Sequence, residues 1–345
     1  MDDIYLIHQN KSILDALNKL NLNFSNSSLI LFVYNDEKQI IGSITDGDIR
    51  RYLVKKQSLN ELVKNICNKE FKYILDTTEY VNLEKFLKNG ISILPVLNED
   101  FTLNKILDLS KNNSILPIDC VIMAGGRGKR LSPLTDLNPK PMLKISDKPL
   151  LEHIIDYLIK FGIRRIFLSV NYLSDKIIKY FGDGKNKGIE IIYIHENNPL
   201  GTAGSLSLIK SKITNHLLLL NGDILTNVNL EKLYLSLIKS NSDMIISSKD
   251  YAVDIPYAVF DLKNDFVKRL SEKPKYQYMT NAGVYMFKKE IIDLIPINEF
   301  FNMTDLISLM LDKKLKIKHQ KIDGFWIDIG NPKDYKSAQD LFKTF

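Results

Sequence analysis

Cysteine, histidine and tryptophan are scarce in this sequence. Its 345 residues include two cysteines, five histidines and one tryptophan. Cys67 and Cys120 do not form a CxxC pair, and the histidines lack the spacing of metal ligands. The sequence therefore gives no disulfide framework and no histidine- or cysteine-based metal site, and we expect a cytoplasmic protein. Cys120 lies in an apolar run, where we expect a buried small side chain.

Long apolar runs and a large excess of one charge are also missing. No stretch is long enough to span a bilayer, and the opening MDDIYLIHQN is acidic and polar, unlike a secretory leader. The net charge is +6, with both signs scattered along the chain. This balance weakly favours anionic ligands and does not resemble a nucleic-acid-binding arm. We therefore expect neither a membrane nor a nucleic acid as partner.

What is present is an ordinary globular sequence, long enough for two domains. Hydrophobic residues make up 45% of the chain and charged residues 26%, as in soluble globular proteins. A chain of this length exceeds one typical core. The sequence pattern changes near residues 110–118, where the polar segment SKNNS precedes Leu116 and Pro117. We predict one domain over 1–115 and a second over 116–345.

In the second domain, strand-like runs alternate with amphipathic helical stretches. The predicted strands are 118–124, 164–170, 189–195, 216–221 and 243–248. The predicted helices are 150–162, 174–182, 203–211 and 229–239. Such alternation predicts an α/β fold with a Rossmann-like, mainly parallel sheet covered on both faces. Ligands of these sheets bind beyond the carboxyl ends of the strands, so the loop after residue 124 is a candidate site.

That loop, within VIMAGGRGKRLSPLTDLNPKPML (121–143), places glycines beside cations. Gly125, Gly126 and Gly128 leave backbone N–H groups accessible to an anion because no Cβ blocks them. The cations Arg127, Lys129, Arg130 and Lys140 surround them. The combination favours a triphosphate held in line for attack at its α-phosphorus. The alternative is a surface turn with solvated basic residues.

Two common phosphate motifs do not fit the loop. A P-loop requires GxxxxGK followed by Ser or Thr, but Met123 stands at its first position and Arg130 follows the lysine. The dinucleotide fingerprint GxGxxG has Leu131 where its third glycine belongs. Kinase-like chemistry and hydride transfer are therefore disfavoured.

Residues 121–150 resemble the signature of sugar-1-phosphate nucleotidylyltransferases, AGGxGxRLxPLT…KPM…KPL. The resemblance continues through LGTAGSL (200–206), NGD (221–223), SEKP (271–274), NAGVYMF (281–287) and WIDIGNP (326–332). It implies a GT-A-like fold and an enzyme that joins a nucleoside triphosphate to a sugar 1-phosphate, releasing pyrophosphate. A catalytically silent subunit of the same fold is the alternative, although a silent chain has no chemical need for the charged residues assigned next.

The resemblance assigns roles to particular residues. Arg130 and Lys140 would be the catalytic cations on the triphosphate. Asp223 and Asp328 would hold Mg²⁺; without the resemblance, Asp223 is a plain turn residue and Asp328 belongs to a loop before a helix. The implied nucleotide-binding residues are Ala124, Gly125, Gly126, Gly128, Glu196, Gly201 and Thr202. The implied sugar-phosphate-binding residues are Glu272, Lys273, Asn281 and Gly283.

Glu196 indicates which base is bound. In thymidylyl- and uridylyl-type relatives a glutamine commonly stands five residues before the first glycine of LGTAG, where this chain has Glu196. A carboxylate only accepts hydrogen bonds, and among the bases guanine offers two adjacent donors. A buried mismatch would cost about 1–3 kcal/mol. We therefore predict GTP as the nucleotide; the alternative is that Glu196 faces water.

The sugar is identified by resemblance alone. No physical argument separates glucosamine, mannose and glucose 1-phosphate. The order of the domains resembles a subgroup with a front regulatory module, including the guanylyltransferase that supplies legionaminic acid synthesis. Glucosamine 1-phosphate is therefore the preferred substrate, and mannose or glucose 1-phosphate with another triphosphate is the alternative.

The first domain contains an internal repeat of roughly fifty to sixty residues. In both copies a helix leads to a strand, a polar turn, a second strand and a second helix. GSITDGDIRRYL (42–53) resembles the end of a CBS motif, which implies a small α+β CBS pair with Thr45 and Asp48 contacting an adenosine nucleotide. The alternative is that Thr45 and Asp48 form a helix capping box. Leu107 and Ser110 are the matching positions of the second copy, and we expect the chain to form a homo-oligomer.

Overall fold

The structure is a computed structural model that describes residues 2–22, 29–56, 58–78, 80–196 and 198–343. The chain divides into two compact units, Met1–Ile115 and Leu116–Phe345. Within the described ranges, no helix combines the length and apolar character needed to cross a membrane.

The first unit is a small α+β body with two similar sheets. Its strands are β1 (Leu6–His8), β2 (Ile30–Tyr34), β3 (Ile40–Thr45), β4 (Ile74–Leu75), β5 (Val81–Asn82), β6 (Ile93–Leu97), β7 (Leu103–Asp108) and β8 (Ser114–Ile115). Its helices are α1 (Ile13–Leu22), α2 (Asp46–Lys56), α3 (Val63–Ile66) and α4 (Glu84–Lys88), with a 3₁₀ turn at Asp2–Tyr5. In β1-β2-β3 and in β4-β6-β7 alike, a parallel pair is followed by an antiparallel pair. The two sheets thus repeat one arrangement.

The second copy departs from the predicted repeat after its second strand. The predicted closing helix is wrong: Asp108 accepts hydrogen bonds from the Ser110 amide and hydroxyl, and the chain then pairs as β8 with β5. Thr45 pairs with Ile30 as Asp108 pairs with Ile93. The counterpart of Thr45 is therefore Asp108 and not Leu107. The sequence-based alignment of the two copies was wrong by one residue, because the second copy has no glycine that could be matched to Gly42.

The second unit is built on a seven-stranded sheet. Its strands are β9 (Ile118–Met123), β10 (Lys144–Ile145), β11 (Lys148–Pro149), β12 (Arg165–Val170), β13 (Glu190–His195), β14 (His216–Asn221), β15 (Ile224–Thr226), β16 (Met244–Asp254), β17 (Val259–Lys263), β18 (Phe266–Ser271), β19 (Lys275–Phe287), β20 (Ile317–Lys321) and β21 (Trp326–Asp328). Its helices are α5 (Leu150–Ile159), α6 (Ser174–Phe181), α7 (Leu230–Ser240), α8 (Met303–Asp312) and α9 (Pro332–Lys343). Further 3₁₀ segments are Lys129–Leu131, Lys140–Met142, Lys185–Lys187, Gly204–Lys212 and Lys289–Leu294.

The sheet has the order β13-β12-β9-β14-β19-β16-β20, and only β19 runs antiparallel to its neighbours. The predicted mainly parallel sheet is confirmed, as are all five predicted strands. The helix predicted over 203–211 is instead a 3₁₀ segment. Its first residue, Gly204, packs so closely that a Cβ there would lie 2.4 Å from the Glu299 carbonyl oxygen.

The parallel register aligns the strand ends that lead into the site. Met123 of β9 lies beside Ser169 of β12 on one side and Asn221 of β14 on the other. The strands inside this edge are fully buried, as shown by Val121, Phe167 and Leu219. Packed strands are rigid, so the loops that follow these three ends start from fixed positions.

Beyond the sheet, β16 and β19 continue as an exposed two-stranded ribbon from the pair Ser248–Asn281 to the pair Asp254–Lys275. The chain between them forms the separate hairpin β17–β18. We call residues 248–281 the arm. The sequence analysis predicted β16 only as far as residue 248 and did not predict the arm.

Candidate active site

Gly128 brings the glycine loop against the lysine that follows it. Its φ is +65°, in the left-handed region where glycine is favoured. A Cβ there would lie 3.0 Å from the Lys140 Cβ and 3.1 Å from the Thr135 methyl carbon. The Thr135 hydroxyl donates to the Gly128 carbonyl at 2.9 Å. Any side chain at position 128 would therefore displace Lys140.

Lys140 forms an ion pair with Asp223 across 83 residues of sequence. The lysine side chain is 9% exposed, so its charge needs a partner. Asp223 follows Gly222, whose amide donates to the Met123 carbonyl at 2.9 Å. A Cβ at Gly222 would lie 2.6 Å from that carbonyl oxygen. This close approach holds Asp223 beside the end of β9.

Asp328 lies next to Asp223 through a short antiparallel pair. Ile224 of β15 pairs with Asp328 of β21, and the Ile329 amide donates to the Asp223 carbonyl at 2.9 Å. Burial raises the pKa of Asp328, and the charge of Asp223 raises it further, against the opposing charges of Lys140 and Arg130. Repulsion between the two carboxylates thus disfavours the ionised form of Asp328.

A divalent cation would fit these carboxylates. The buried Oδ1 atom of Asp223 has no hydrogen-bond partner among the described residues. Within the same ranges, no cluster of three or more His, Cys, Asp or Glu residues forms a metal site. Mg²⁺ does not require one, because it is commonly held by one or two carboxylates together with phosphate oxygens and water. The raised pKa of Asp328 and the unpartnered Asp223 oxygen are both features that a cation would compensate.

Arg130 is exposed and lies beside the loop that carries Asp328. A Cβ built on Gly330 would lie 3.5 Å from an Arg130 guanidinium nitrogen and 3.5 Å from Asp334 Oδ2. Within the described chain, Arg130 makes no hydrogen bond or ion pair. Its five donors are thus available to an anion.

Glu196 borders the start of the glycine loop and is held by two donors. The Ser169 hydroxyl donates to Oε1, and the Leu200 amide donates to Oε2 at 2.9 Å. The Asn171 amide group also donates to the Glu196 carbonyl at 2.7 Å. A Cβ at Gly125 would lie 3.6 Å from Oε1. The carboxylate is therefore fixed beside the loop, with unused lone pairs on both oxygens.

Ser169 and Asn171 were missed by the sequence analysis. Both lie at the carboxyl end of β12, next to β9 in the sheet. The rule that ligands bind beyond the carboxyl ends of parallel strands could have identified them. What the sequence does not contain is their contact with Glu196, which directly follows the neighbouring strand β13.

Ala124 and Gly126, at the start of the glycine loop, differ in their contacts. The Ala124 amide donates to the Ser169 carbonyl at 2.8 Å and is not free for a phosphate. A Cβ at Gly126 would meet nothing within 4 Å. Packing therefore does not explain the glycine at 126, whereas close approach of a ligand would.

Gly201 and Thr202 contact the chain that leads into α8. Gly201 has φ +79°, and a Cβ there would lie 2.7 Å from the Phe301 carbonyl oxygen. The Thr202 hydroxyl accepts from the Met303 amide at 2.9 Å. These residues therefore have a structural role, and their nucleotide contacts stay a prediction.

Asn281 and Gly283 lie near the acidic residues, at the end of β14. Gly283 has φ +67°, and a Cβ there would lie 2.7 Å from the side-chain nitrogen Nδ2 of Asn221. Asn281 accepts from the Gly283 amide at 3.0 Å and donates to the Tyr285 hydroxyl at 2.8 Å. Trp326 donates to the Ala282 carbonyl at 2.8 Å.

Glu272 and Lys273 lie at the far end of the arm. They precede Lys275, which is six ribbon positions from Asn281, or about 20 Å along an extended strand. Both side chains are exposed, and neither forms a hydrogen bond or ion pair within the described residues. The structure therefore shows no contact between this segment and the acidic pair.

In the first unit, Thr45 lines a cavity of about 370 Å³ to which both copies of the repeat contribute. Asp48 is not among the lining residues. Its carboxylate accepts from the Thr45 amide at 2.9 Å and from the Thr45 hydroxyl at 2.7 Å, and it pairs with Arg51. The Asp48 amide donates back to the Thr45 hydroxyl at 3.2 Å, so the capping box is present.

Comparison with known proteins matches most of the second unit and the first half of the first unit to known families. The family model described as nucleotidyl transferase matches residues 119–344, and that of the CBS domain matches residues 1–55.

Two curated relatives illustrate the range of similarity. The chain is 34% identical over 220 residues to the D-glycero-alpha-D-manno-heptose 1-phosphate guanylyltransferase of Campylobacter jejuni, covering 63% of this chain and 97% of that protein. It is 30% identical over 236 residues to the mannose-1-phosphate guanylyltransferase of Mycobacterium tuberculosis, covering 66% of this chain and 65% of that protein. The chain thus spans less than two thirds of the mannose relative.

Two solved structures have similar folds. HddC from Yersinia pseudotuberculosis is 32% identical with a TM-score of 0.52, covering 65% of this chain and 99% of that one. A putative glucose-1-phosphate thymidylyltransferase from Bacillus anthracis is 20% identical with a TM-score of 0.54, covering 66% of this chain and 96% of that one. The second likeness shows the fold alone.

Proposed function

Because this chain belongs to the nucleotidyl transferase family and is a nucleotidyltransferase, we propose that it transfers a guanylyl group from GTP to a sugar 1-phosphate. The observation that carries the choice of GTP is Glu196, a carboxylate fixed beside the glycine loop. Its remaining lone pairs can accept from the N1–H and the exocyclic amine of guanine. The names of the guanylyltransferase relatives support the same base.

The reaction requires alignment rather than a covalent intermediate with the protein. A phosphate oxygen of the sugar 1-phosphate attacks the α-phosphorus, the bond to the bridging oxygen breaks, and pyrophosphate leaves. Arg130 and Lys140 are the cations placed to neutralise charge on the triphosphate oxygens as it develops. Asp223 and Asp328 would hold Mg²⁺, which when bound would neutralise phosphate oxygens.

For the sugar, glucosamine 1-phosphate is the substrate supported by the resemblance to the legionaminic acid enzyme with a front module. A second candidate is a manno-configured sugar 1-phosphate, favoured by the mannose and manno-heptose relatives. GTP and sugar phosphates are metabolites of the cytoplasm, which supports that location. In the first unit, the cavity beside Thr45 supports an adenosine nucleotide as a second, regulatory ligand.

Pyrophosphate release tests the reaction. The full chain would be mixed with Mg²⁺, each nucleoside triphosphate, and glucosamine, mannose, manno-heptose or glucose 1-phosphate. We expect release with GTP and its loss in Arg130→Ala and Asp223→Asn. Full activity in both variants would overturn the site assignment, and equal or better use of UTP or dTTP would overturn the choice of base.

Glu196→Gln tests the base contact directly. A glutamine can still accept from the Leu200 amide while its NH₂ faces the Ser169 hydroxyl oxygen, so the loop should keep its position. That NH₂ would then confront the guanine donors. We expect kcat/KM for GTP to fall about fivefold to 150-fold, as a mismatch of about 1–3 kcal/mol implies. Gln277→Glu, on the exposed arm, is the control and should leave the GTP/UTP ratio unchanged.

A further inference from the structure

Residues 127–139, which we call the basic loop, lie between the first glycines of the site and Lys140 and contain Arg130. Most of the side chains in this stretch are exposed, and Leu137 is 76% exposed. An exposed loop gains little from burial, so the entropy lost in ordering it must be offset by other contacts. The position of Arg130 therefore depends on the polar contacts that hold the loop.

A short segment at the start of α6 makes such contacts with the end of the basic loop. The Tyr172 hydroxyl donates to the Asp136 carbonyl at 2.9 Å. The Lys176 ammonium donates to the Leu137 carbonyl and, at 3.3 Å, to Asn138 Oδ1. Three successive residues of the loop are thus bonded to two side chains that lie four residues apart.

The same segment also contacts the beginning of the loop. The Arg127 guanidinium lies over the Tyr172 ring, 5.3 Å from its centroid, within the distance at which an aromatic face attracts a cation. The Tyr172 amide nitrogen lies 3.5 Å from the carbonyl oxygen of Gly125, just before the loop. Tyr172 therefore contacts the chain on both sides of Arg130.

The segment that makes these contacts is itself held in place. It follows β12, and Lys176 precedes Ile177 of α6, which is fully buried. Between Tyr172 and Lys176, Leu173 has φ +49°, in the left-handed region that leucine seldom adopts. Such a conformation persists only where the surrounding structure fixes it. The positions of Tyr172 and Lys176 are therefore set by the packed sheet and helix, and the loop is held against them.

We propose that Tyr172 and Lys176 are positioning residues for nucleotidyl transfer. By holding both ends of the basic loop, they place Arg130 and Lys140 around the triphosphate. The inference rests on the proposed function, because it concerns the alignment of the triphosphate for attack at its α-phosphorus. A misplacement of about 1 Å in such a site can cost about a hundredfold in rate. The two residues act through the cations and need not touch the nucleotide.

Tyr172→Phe and Lys176→Met remove the donors and keep most of each side chain, including the ring beneath Arg127. Each variant should lower kcat about twofold to tenfold, as expected for the loss of one hydrogen-bonded contact. The double variant should lower kcat about tenfold to a hundredfold. KM for the sugar 1-phosphate should stay within about twofold in all three variants. Lys176→Arg keeps donors for both loop oxygens and should retain most of the activity.

Tyr180→Phe and Lys179→Met are matched controls, because they make the same substitutions on α6 at a distance from the loop. The Tyr180 hydroxyl donates to Glu152 at 2.6 Å, and Lys179 is exposed. Both controls should keep the kcat of the unmodified protein, even where the loss of the Glu152 bond lowers the melting temperature.

Hydrogen exchange without substrate tests the contacts independently of the reaction. The amides of residues 128–138 should exchange faster in Tyr172→Phe and Lys176→Met than in the unmodified protein or in either control. Unchanged exchange in this stretch would overturn the inference. If the unmodified protein releases pyrophosphate and the double variant does so equally fast, this role alone is overturned. If the unmodified protein releases none with any nucleoside triphosphate, the proposed function is overturned and this role with it.

Discussion

At the scale of residues, hydrogen bonds to charged groups decide where those groups point. Glu196 receives one bond from Ser169 and one from the Leu200 amide. Its unused lone pairs therefore have fixed directions before any base arrives. A preorganised acceptor binds its ligand without first losing side-chain freedom. In the proposed guanine contact, Ser169 would act on the base only through Glu196 and would be a positioning residue.

Ser169→Ala should weaken discrimination between bases. Loss of one bond to a charged group costs about 1.5–3 kcal/mol, so kcat/KM for GTP should fall about tenfold to 150-fold while the KM of the sugar 1-phosphate stays unchanged. Ser247→Ala is the matched control, because Ser247 is also fully buried in the sheet and its hydroxyl has no partner among the described residues. An unchanged GTP/UTP ratio in Ser169→Ala would contradict this role.

The sequence predicted the charged residues of the site better than their partners. Lys140, Asp223 and Asp328 were predicted from motifs, and the structure brings them together. The ion pair between Lys140 and Asp223 could not be predicted, because it depends on how the end of β14 meets a loop 83 residues earlier. Such contacts arise from the sheet register, and no local pattern encodes them.

At the scale of elements, ion pairs connect the 3₁₀ turn Lys185–Lys187 to α5. Lys187 lies 2.7 Å from both Glu152 and Asp156 of α5, and Lys148 lies 2.9 Å from Asp156. Burial tends to raise the pKa of Glu152 and Asp156, but the bonds from these lysines hold both below their ordinary values. The lowered pKa values make this contact a source of stability that depends on pH.

Lys187→Met should weaken that dependence. A carboxylate with a lowered pKa stabilises the fold above its ordinary pKa and loses this contribution as the pH falls towards its folded value. The unmodified protein should therefore lose stability as the pH falls below about 4.5, the ordinary value for Glu. At neutral pH the variant should lose about 1–3 kcal/mol, between a surface and a fully buried pair, and its acid slope should be shallower.

Denaturant unfolding of the full chain at neutral and acid pH measures both effects. Lys185→Met is the control, because Lys185 lies on the same turn but pairs with Asp183 at the surface. It should change the stability and its pH dependence much less than Lys187→Met does, because its pair with Asp183 is exposed to solvent. Equal acid slopes in the unmodified protein and in Lys187→Met would contradict the assignment.

Secondary-structure elements were predictable from sequence where they belong to the buried sheet of the second unit. The five predicted strands alternate with helices that cover them, and all five are present. The hairpin β17–β18 lies outside this regular alternation and was missed. The closing helix of the second repeat failed for a local reason, since the Asp108 side chain turns the chain within two residues.

At the scale of the whole molecule, each unit has its own candidate ligand site. The predicted catalytic residues lie in the second unit, and the cavity beside Thr45 lies in the first. A ligand of the first unit would stabilise it whatever the catalytic unit binds, because any ligand selective for the folded state raises its stability.

AMP, ADP or ATP should raise the melting temperature of the first unit in the full chain by a few degrees at saturation. Thr45→Val removes the hydroxyl of a residue that lines the cavity and should abolish this shift, although loss of the helix cap also lowers the starting temperature. The shift given by GTP and Mg²⁺ should persist in this variant. No shift at millimolar adenosine nucleotide would indicate a structural role for the unit.

The pairing of Lys140 with Asp223 also determines its reactivity as an amine. Electrophiles such as acyl donors attack an uncharged, accessible amine, and Lys140 is both buried and bonded to a carboxylate. Lys129, on the same loop, is exposed. In the folded protein, non-enzymatic acylation should therefore modify Lys129 well before Lys140. Burial and the ion pair with Asp223 thus also limit covalent modification of Lys140.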